Sequence, residues 1–272
     1  MIVFPNAKIN LGLQVNGKRP DGYHDISTIF YPLPVCDILE AVRAEEFSFH
    51  TSGLTIDAPA LGNLCIKAYQ LLQQDFSLSA VAMHLHKVIP MGAGLGGGSS
   101  DGAFTLMLLN RMFNLGLTRE QLLGYALQLG SDCPFFIMNE PCFAGGRGEV
   151  MEPIQLPSLK NKLFLIVNPG LHINTAWAFS QLKIREPKIH LREVVALPPD
   201  QWRDLLVNDF EEVAFEKHAE LIDIRSTLYR MGAVFAGMTG TGSTMFGIFD
   251  SAPAGYRTAF PSHYFTILQS ND

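Results

Sequence analysis

A glycine-rich stretch in the middle of the chain carries the strongest chemical signal. Residues 92–102 read Gly-Ala-Gly-Leu-Gly-Gly-Gly-Ser-Ser-Asp-Gly, so six of eleven positions are glycine, where the average of 24 in 272 predicts about one. Ordering glycine costs more backbone entropy than ordering any other residue, so a compensating interaction is needed. A helical apolar pattern follows over residues 100–113. Because backbone N–H groups at a helix start attract anions, we predict a phosphate-binding loop.

The surroundings of the glycines indicate which kind of phosphate ligand fits. A P-loop requires a lysine directly after the glycines, and none is present. Gly92, Gly94 and Gly97 match Gly-x-Gly-x-x-Gly, but a dinucleotide fold also needs an acidic residue about 20 positions further on, after a second strand. That region instead reads Thr118-Arg-Glu-Gln121, a capping box that begins a helix. We therefore predict a mononucleotide triphosphate site, with a packing role for the glycines as the alternative.

Two charged residues could complete a phosphoryl-transfer site. Such a site needs a cation near the transferred phosphate and a group that orients or deprotonates the acceptor hydroxyl. Lys8 lies in a segment that alternates apolar and polar residues from Val3 to Val15, which predicts a strand. A solvated face of an edge strand is the alternative reading of its polar side. Asp132 follows a predicted helix stop at Gly130, where a capping or turn role is the alternative.

Other polar motifs lie at predicted turns. Arg19-Pro-Asp-Gly-Tyr-His24 has turn chemistry between two apolar strands and predicts a hairpin, after which His24 could bind a ligand or pack. A second glycine cluster, residues 237–243, precedes a predicted strand and could close over a phosphate or form a plain turn. Residues 145–149 form a third glycine-rich segment in which the backbone bends tightly, and it could also be a simple turn.

The remaining periodicity predicts helices and strands that would position these motifs. Asn63 is placed as the N-cap of an amphipathic helix that runs to Gln74. Gly130 and Gly232 end two further helices. The predicted strands are residues 81–89, 163–167 and 244–249, and the predicted helices besides the first are residues 100–113, 118–130 and 218–231.

Composition and charge exclude several classes of protein. The chain has 272 residues, of which 47% are hydrophobic and 17% charged, enough for one large or two modest globular domains. Its net charge is −6 and no basic block occurs, which argues against nucleic-acid or membrane-surface binding. The longest apolar run, residues 163–167, is too short to span a membrane. The first residues show no secretory signal pattern, and the four scattered cysteines indicate free thiols, so we expect a cytoplasmic protein.

These motifs together resemble the galactokinase, homoserine, mevalonate and phosphomevalonate kinase superfamily, the GHMP kinases. The superfamily signature Pro-x-Gly-x-Gly-Leu-Gly-x-x-Ser-Ser corresponds to residues 90–100. A narrower likeness, to members that act on a cytidine-diphosphate-linked polyol, covers nearly the whole chain. It rests on further motifs: Ala7-Lys8-Ile9-Asn10-Leu11, Arg19-Pro-Asp-Gly-Tyr-His24, Gly130-Ser-Asp-Cys-Pro-Phe135, Pro169-Gly170 and Asn208-Asp-Phe-Glu211.

The resemblance implies an α+β fold of two domains. The N-terminal domain, residues 1–155, would be similar to ribosomal protein S5 domain 2 and bind ATP. The C-terminal domain, residues 156–272, would be ferredoxin-like. A polar stretch from Pro153 to Lys162 is the most plausible linker from composition alone.

The resemblance also implies roles for individual residues. Lys8 and Asp132 match the catalytic pair. The substrate-binding positions are Asn10, Tyr23, His24, Phe179, Gly240 and Thr241, with Phe179 placed to stack on cytosine. The ATP site comprises Asn63, near the adenine, and Pro90, Met91, Gly92, Ala93, Gly94, Leu95, Gly96, Gly97, Gly98, Ser99 and Ser100. ATP is the expected co-substrate with Mg²⁺, for which the Ser99 and Ser100 hydroxyls are candidates. Small molecules are the expected partners, and the chain would be a monomer or homodimer.

Some positions depart from the family pattern and leave alternatives open. Cys133 stands where a branched aliphatic residue is usual, and Thr239 and Thr241 stand where serine is typical. Trp177 is a second aromatic residue near Phe179, so either ring could stack on the base. A sibling kinase for homoserine, mevalonate or a sugar, or a non-catalytic nucleotide-binding regulator, would share the glycine loop.

Overall fold

The structure is a computed structural model that describes residues 1–56, 62–185 and 189–270. The fold is α+β, as predicted. It comprises two compact units, and each unit is drawn from several stretches of the chain. Unit 1 contains Met1–Ala7, Val35–Met91 and Gly96–Glu140, and unit 2 contains Lys8–Pro34, Gly92–Leu95 and Pro141–Asp272. The domain boundary near residue 155 stays a prediction.

Twelve strands and eight α-helices are present in the described part of the chain. The strands are β1 (Ile2–Val3), β2 (Asn6–Lys18), β3 (His24–Cys36), β4 (Ile38–Arg43), β5 (Ser48–Gly53), β6 (Val81–Lys87), β7 (Cys142–Gly145), β8 (Val150–Pro153), β9 (Leu163–Asn168), β10 (Phe235–Met238), β11 (Met245–Phe249) and β12 (Phe265–Ser270). The helices are α1 (Leu64–Asp75), α2 (Gly97–Phe113), α3 (Arg119–Leu129), α4 (Cys133–Met138), α5 (Thr175–Gln181), α6 (Leu191–Val195), α7 (Phe210–Lys217) and α8 (Glu220–Arg230).

Unit 1 packs helices on a four-stranded sheet of order β1-β4-β6-β5. Strand β6 pairs antiparallel with β4 and parallel with β5, and α1 lies between β5 and β6 in the chain, as a parallel connection requires. Helix α2 packs against α1, α3 and α4. The alternation of β6 buries Val81, Met83 and Leu85. Burial against this core raises the pKa of the Cys65 thiol at the start of α1.

The predicted caps of the unit 1 helices are confirmed. The Asn63 side-chain oxygen accepts the backbone N–H of Cys65 at 2.9 Å and begins α1. Thr118 and Gln121 form the predicted reciprocal capping box of α3, which ends at Gly130. The prediction that the helix after the glycine loop begins at Ser100 is wrong, because α2 begins at Gly97.

A close approach explains why α2 begins inside the glycine run. Gly96 turns the chain with a positive φ of 72°, and Ser100 N–H donates to the Gly96 carbonyl at 2.9 Å. A Cβ on Gly97 would lie 3.0 Å from both the Lys87 Nζ atom and an Ile89 side-chain carbon. Lack of space therefore favours glycine at position 97, although glycine has a low helix propensity.

A buried ion cluster lies under this helix start. The Lys87 ammonium at the end of β6 bonds to the Asp37 carboxylate and, at 2.7 Å, to Asp101 of α2. Asp37 also accepts the backbone N–H groups of Val88 at 2.6 Å and Ile89 at 2.8 Å. The cluster therefore joins β6, the residue before β4, and α2. Burial raises the pKa of Asp101, the Asp37 charge raises it further, and Lys87 opposes both.

Unit 2 contains two further four-stranded sheets. One has the order β2-β3-β7-β8, and the other has the order β10-β11-β9-β12, in which every pairing is antiparallel. The turn at residues 19–23 joins β2 to β3, which confirms the predicted hairpin, and residues 146–149 form a simple turn between β7 and β8. Helix α8 packs on β10 and β11, and α7 packs on α5 and α8. The central hydrophobic cluster includes Leu165, Val167, Phe210, Ile224 and Phe249.

The polar face of β2 is buried, so the solvated edge-strand alternative is wrong. The exposed fraction is 3% at Lys8, 2% at Asn10 and 6% at Gln14, while the apolar face, including Ile9 and Leu11, is also buried. Burying polar groups is unfavourable unless they are hydrogen-bonded, so the polar side chains of the buried part of this strand, residues 6–15, need partners. The Asn6 Oδ1 atom is an exception, because it has no partner among the described residues.

One backbone contact in unit 2 depends on glycine. Gly94 has a φ of +79°, and a Cβ at this position would lie 2.2 Å from the Thr239 carbonyl oxygen. Backbone atoms cannot move aside as a flexible side chain can. The loop 92–95 and the turn after β10 therefore approach each other only because residue 94 lacks a side chain.

Gly94→Ala should lower the free energy of unfolding by at least about 2 kcal/mol, because it adds a left-handed penalty to a backbone clash. Gly124→Ala is the matched control: a Cβ added at this helix residue would have no heavy atom within 4 Å, and alanine should stabilise α3 by about 0.5–1 kcal/mol. Urea unfolding measures both. Equal stability of Gly94→Ala and the parent would contradict the close approach.

Asp101→Asn tests the buried ion cluster through its pH dependence. A carboxyl whose folded pKa is raised contributes stability below its unfolded pKa of about 3.9 and loses that contribution as the pH rises through the folded pKa. Asparagine does not titrate, so the free energy of unfolding of the parent should fall relative to Asp101→Asn as the pH increases from about 4 to 8.

Asp37→Asn is the companion variant and should destabilise more at neutral pH. The asparagine oxygen would accept the Val88 and Ile89 N–H groups, and its NH₂ group would then lie against the Lys87 ammonium. Both of these groups are hydrogen-bond donors, so the contact is unfavourable. Urea unfolding at several pH values gives both results. Curves for Asp101→Asn and the parent that stay parallel across this range would contradict the raised pKa.

Candidate active site

Lys8 is a buried cation at the start of the unit 2 stretch of β2. Its ammonium donates to the Asn10 Oδ1 atom at 2.6 Å and lies 5.1 Å from the centre of the Phe30 ring. Both contacts favour the charged form, one as a charge-assisted hydrogen bond and the other through the ring face. The structure therefore provides a fixed ammonium rather than a flexible surface lysine.

A second hydrogen bond fixes the orientation of the Asn10 amide. The Thr28 hydroxyl donates to the Gly12 carbonyl at 2.6 Å, which uses its one proton. At its 2.9 Å contact with the Asn10 Nδ2 atom, Thr28 must therefore be the acceptor. Because Nδ2 faces Thr28, the Asn10 oxygen faces Lys8. This relation follows from donor counting and could not be seen in the sequence.

Thr239, in the turn between β10 and β11, joins Asn10 to the glycine loop. Its fully buried hydroxyl accepts the Asn10 backbone N–H at 3.0 Å. It lies 3.2 Å from the Asn10 Oδ1 atom and 3.0 Å from the Gly94 carbonyl oxygen, either of which can receive its proton. Within the loop itself, the Leu95 carbonyl accepts the Lys8 backbone N–H at 2.9 Å. Residues 8, 10, 94 and 95 thus form one hydrogen-bonded group in unit 2.

The unit 1 part of the predicted ATP loop begins at Pro90 and Met91 and continues over Gly96, Gly97, Gly98, Ser99 and Ser100. The first N–H groups of α2 have no acceptor within the helix and can bind an anion. The Ser99 hydroxyl contacts the Cys133 thiol, whose pKa burial raises to about 12. The Ser100 hydroxyl is fully buried and has no hydrogen-bond partner among the described residues. Gly92 and Ala93 lie in unit 2.

Asp132 lies directly before α4 in unit 1. Its backbone lies in the turn of residues 131–132 and occupies the N-cap position, as the turn alternative expects, but its side chain makes no capping hydrogen bond there. Its neighbour Cys133 is anchored in the core, with no exposed surface. The apolar run after Asp132 forms the short helix α4. Lys8 and Asp132 belong to different compact units, and their pairing stays a prediction.

The aromatic residues predicted to bind substrate form a stack in unit 2. The rings of His24 and Phe179 are 4.6 Å apart with an angle of 22°, and the Phe210 edge meets Phe179 at 4.8 Å. Trp177 is engaged differently, because the Lys217 ammonium lies 3.9 Å from its ring centre. Phe179 is therefore the ring that already accepts a flat stacking partner.

The other predicted binding residues have weaker contacts. Tyr23 is 54% exposed, with the Arg147 guanidinium 4.7 Å from its ring centre. The Thr241 hydroxyl lies 3.4 Å from the Thr175 hydroxyl, and Gly240 has a positive φ of 58°. The binding roles of these residues stay predictions.

The described part of the chain has neither a cluster of metal-binding side chains nor a membrane-spanning helix. No group of three or more histidine, cysteine or acidic side chains there could bind a metal ion. Among the residues whose structure is described, no helix combines the length and apolar character that crossing a bilayer requires.

Comparison with known families agrees with the architecture. The family described as GHMP kinases N terminal domain matches residues 63–140, and the family described as GHMP kinases C terminal matches residues 194–262. Among solved structures, a crystal structure of 4-(cytidine 5'-diphospho)-2C-methyl-D-erythritol kinase superposes with a TM-score of 0.83 at 28% identity, covering all of both chains. Mevalonate kinase from Methanococcus jannaschii shares the fold, with a TM-score of 0.72 at 14% identity over 100% of this chain and 98% of that one.

Curated relatives share much more sequence. The 4-diphosphocytidyl-2-C-methyl-D-erythritol kinase of Azobacteroides pseudotrichonymphae is 49% identical over 92% of this chain and 93% of its own length. The enzyme of the same name from Bacteroides thetaiotaomicron is 47% identical over 92% of both chains. Identity at this level, with matching length, confirms the resemblance inferred from the motifs. The chain belongs to the 4-diphosphocytidyl-2-C-methyl-D-erythritol kinase family of the GHMP kinases.

Proposed function

We propose that the chain transfers the γ-phosphate of ATP to the 2-hydroxyl of 4-diphosphocytidyl-2-C-methyl-D-erythritol, in non-mevalonate isoprenoid precursor biosynthesis. The observation that carries this proposal is 49% identity over 92% of the chain to an enzyme named for that substrate. The buried Lys8 ammonium and the glycine-rich helix start supply the chemistry that such a transfer needs.

In this proposal Asp132 and Lys8 act on the acceptor hydroxyl. Asp132 accepts its proton or orients its lone pair toward the γ-phosphate, and the alkoxide character that develops is stabilised by a nearby cation. Lys8 is suited to that cationic role because its hydrogen bond to Asn10 holds the ammonium in one position.

The triphosphate would bind along residues 90–100, with the N–H groups at the start of α2 directed at its oxygens. Asn63 would approach the adenine with its NH₂ group, because its oxygen caps α1. Mg²⁺, when bound with ATP, would neutralise phosphate charge. The buried Ser100 hydroxyl, which lacks a partner in the described structure, is an oxygen donor that fits this ion. Ser99 is the weaker candidate because it contacts Cys133.

The cytidine would bind at the His24–Phe179 stack. We propose that the base takes the position on Phe179 that the His24 ring occupies, while the imidazole nitrogens turn to the base edge. Asn10, Tyr23, Gly240 and Thr241 would contact the rest of the substrate. Phe179 is preferred to Trp177 because the Trp177 ring already has a cationic partner. The cytoplasmic location and the monomeric or homodimeric state stay predictions.

Direct measurement of phosphate transfer tests the proposal. ATP with 4-diphosphocytidyl-2-C-methyl-D-erythritol should give a phosphorylated product, while homoserine, mevalonate and galactose should give none under the same conditions. Preference for one of the latter acceptors would indicate a sibling kinase. Nucleotide binding without transfer to any acceptor would indicate a regulator and refute the proposal.

Asp132→Asn should lower kcat by about 10²–10⁴-fold, the usual contribution of a positioned base. The KM for ATP should change little, because the phosphate-binding loop is intact. Steady-state kinetics measure both constants. Asp200→Asn, an exposed aspartate at a 3₁₀ turn, is the matched control and should leave turnover unchanged. Near-normal turnover of Asp132→Asn would remove this residue from the chemistry.

His24→Ala should raise the KM for the diphosphocytidyl substrate and spare the KM for ATP, because it removes the imidazole nitrogens that in this proposal contact the edge of the base. The expected increase is about 2- to 12-fold, corresponding to the ~0.5–1.5 kcal/mol of one hydrogen bond. His263→Ala, at an exposed histidine that also contacts an aromatic ring, is the control. Equal weakening of both substrates would make His24 a structural residue.

A further inference from the structure

The segment Asn208–Glu211 has no part in the proposed chemistry, yet its side chains contact the turn that carries Thr239. Asn208 is buried, with an exposed fraction of 3%. Its Nδ2 atom donates to the Met238 and Gly240 carbonyls, both at 2.9 Å, and its Oδ1 atom accepts the Phe210 N–H at 3.0 Å. Both N–H bonds of the amide are therefore used on the two carbonyls that flank Thr239.

Glu211 and Asp209 add two more anchors. The Glu211 carboxylate accepts the Met238 N–H at 2.8 Å, so three backbone atoms of residues 238 and 240 bond to this one segment. Asp209 accepts the Val15 N–H at 2.7 Å and thereby attaches the segment to β2. Burial raises the pKa of Glu211, while the Met238 N–H and Arg225 oppose that shift.

These anchors determine the direction of the Thr239 side chain. The carbonyls of Met238 and Gly240, the residues on either side of Thr239, accept from the same Asn208 amide, which holds the backbone around Thr239 in place. The hydroxyl is thereby directed at Asn10 and the Gly94 carbonyl. Asn10 in turn contacts Lys8 at 2.6 Å. Asn208 is therefore connected to the ammonium through the backbone of residues 238–240, the Thr239 hydroxyl and Asn10.

We infer that Asn208 is a positioning residue for the Lys8 ammonium, acting through Thr239 and Asn10. The inference rests on the proposed function, in which Lys8 acts in phosphoryl transfer. Asparagine suits the position because one planar group supplies two donors and one acceptor. Aspartate would direct carboxylate oxygens at two carbonyl oxygens, and alanine would leave both carbonyls without their donor.

A double-mutant cycle on kcat tests the inference. Asn208→Ala and Thr239→Val should each lower kcat by about 10–100-fold, the scale of an ångström-size misplacement of a reacting group. The KM for ATP should stay within about threefold, since the loss lies in positioning rather than ground-state binding. Because both variants interrupt the same series of contacts, the double variant should be no slower than the slower single variant.

Thr239→Ser provides the rescue and Asn110→Ala the control. Serine keeps the hydroxyl, so its kcat should be near that of the parent, whereas valine keeps the shape and loses the hydrogen bonds. Asn110 fixes the turn between α2 and α3 through two hydrogen bonds to Leu117, at 3.2 and 3.0 Å. Asn110→Ala should lower the melting temperature without lowering kcat per folded molecule, as circular dichroism and kinetics together would report.

Two outcomes would overturn the inference. Multiplicative losses in the double variant would mean that Asn208 and Thr239 act independently, and equal losses in Thr239→Ser and Thr239→Val would exclude the hydroxyl as the link. If Asn208→Ala does not fold, Asn208→Ser enters the same cycle with the same criteria. Lys8→Met is measured alongside: turnover that survives this change refutes the role of Lys8 and with it the inference, whereas its loss with a multiplicative cycle refutes only the role of Asn208. Failure of the proposed function itself is distinguishable, because the parent would then show no transfer to the diphosphocytidyl substrate.

Discussion

Burial of the Lys8 ammonium is the constraint on which the organisation of unit 2 depends. A charged group removed from water needs directed partners, and the exposed fraction of Lys8 is only 3%. Asn10 supplies an oxygen, Thr28 orients the Asn10 amide, and Thr239 connects Asn10 to the glycine loop. The polar face of β2 is thus a hydrogen-bonded interior, which explains why its residues cannot be read as an exposed strand face.

The glycines of the loop meet two different demands. At Gly94 a backbone carbonyl of another segment occupies the space of a side chain, and at Gly97 the buried Lys87 and Ile89 side chains do. Both demands come from packing, whereas the proposed phosphate-binding role belongs to the N–H groups at the start of α2. The packing interpretation and the binding interpretation of the glycine run are therefore compatible, since Gly97 packs closely on Lys87 and Ile89 and is also the first residue of α2.

Local patterns could be predicted from sequence, while long-range polar partners could not. The caps at Asn63 and Thr118 follow from neighbouring residues, so their prediction is confirmed. The alternation of residues 3–15 predicted one strand, whereas the structure divides this stretch between the end of β1 and a β2 that begins at Asn6 and continues to Lys18. The alternation also gave no sign that both faces of β2 are buried. The Asn10–Thr239 contact joins residues 229 positions apart, and the Asp37–Lys87–Asp101 cluster joins three elements. Such contacts depend on tertiary packing, which no local spacing encodes.

Burial of the cysteines has a practical consequence. Cys65, Cys133 and Cys142 have no exposed surface, and burial raises the pKa values of the Cys65 and Cys133 thiols, whereas Cys36 is only half-buried. Thiolates, not thiols, react with alkylating reagents, so the native protein offers such reagents little beyond Cys36. The labelling rate of the remaining cysteines therefore reports how often the interior opens to solvent.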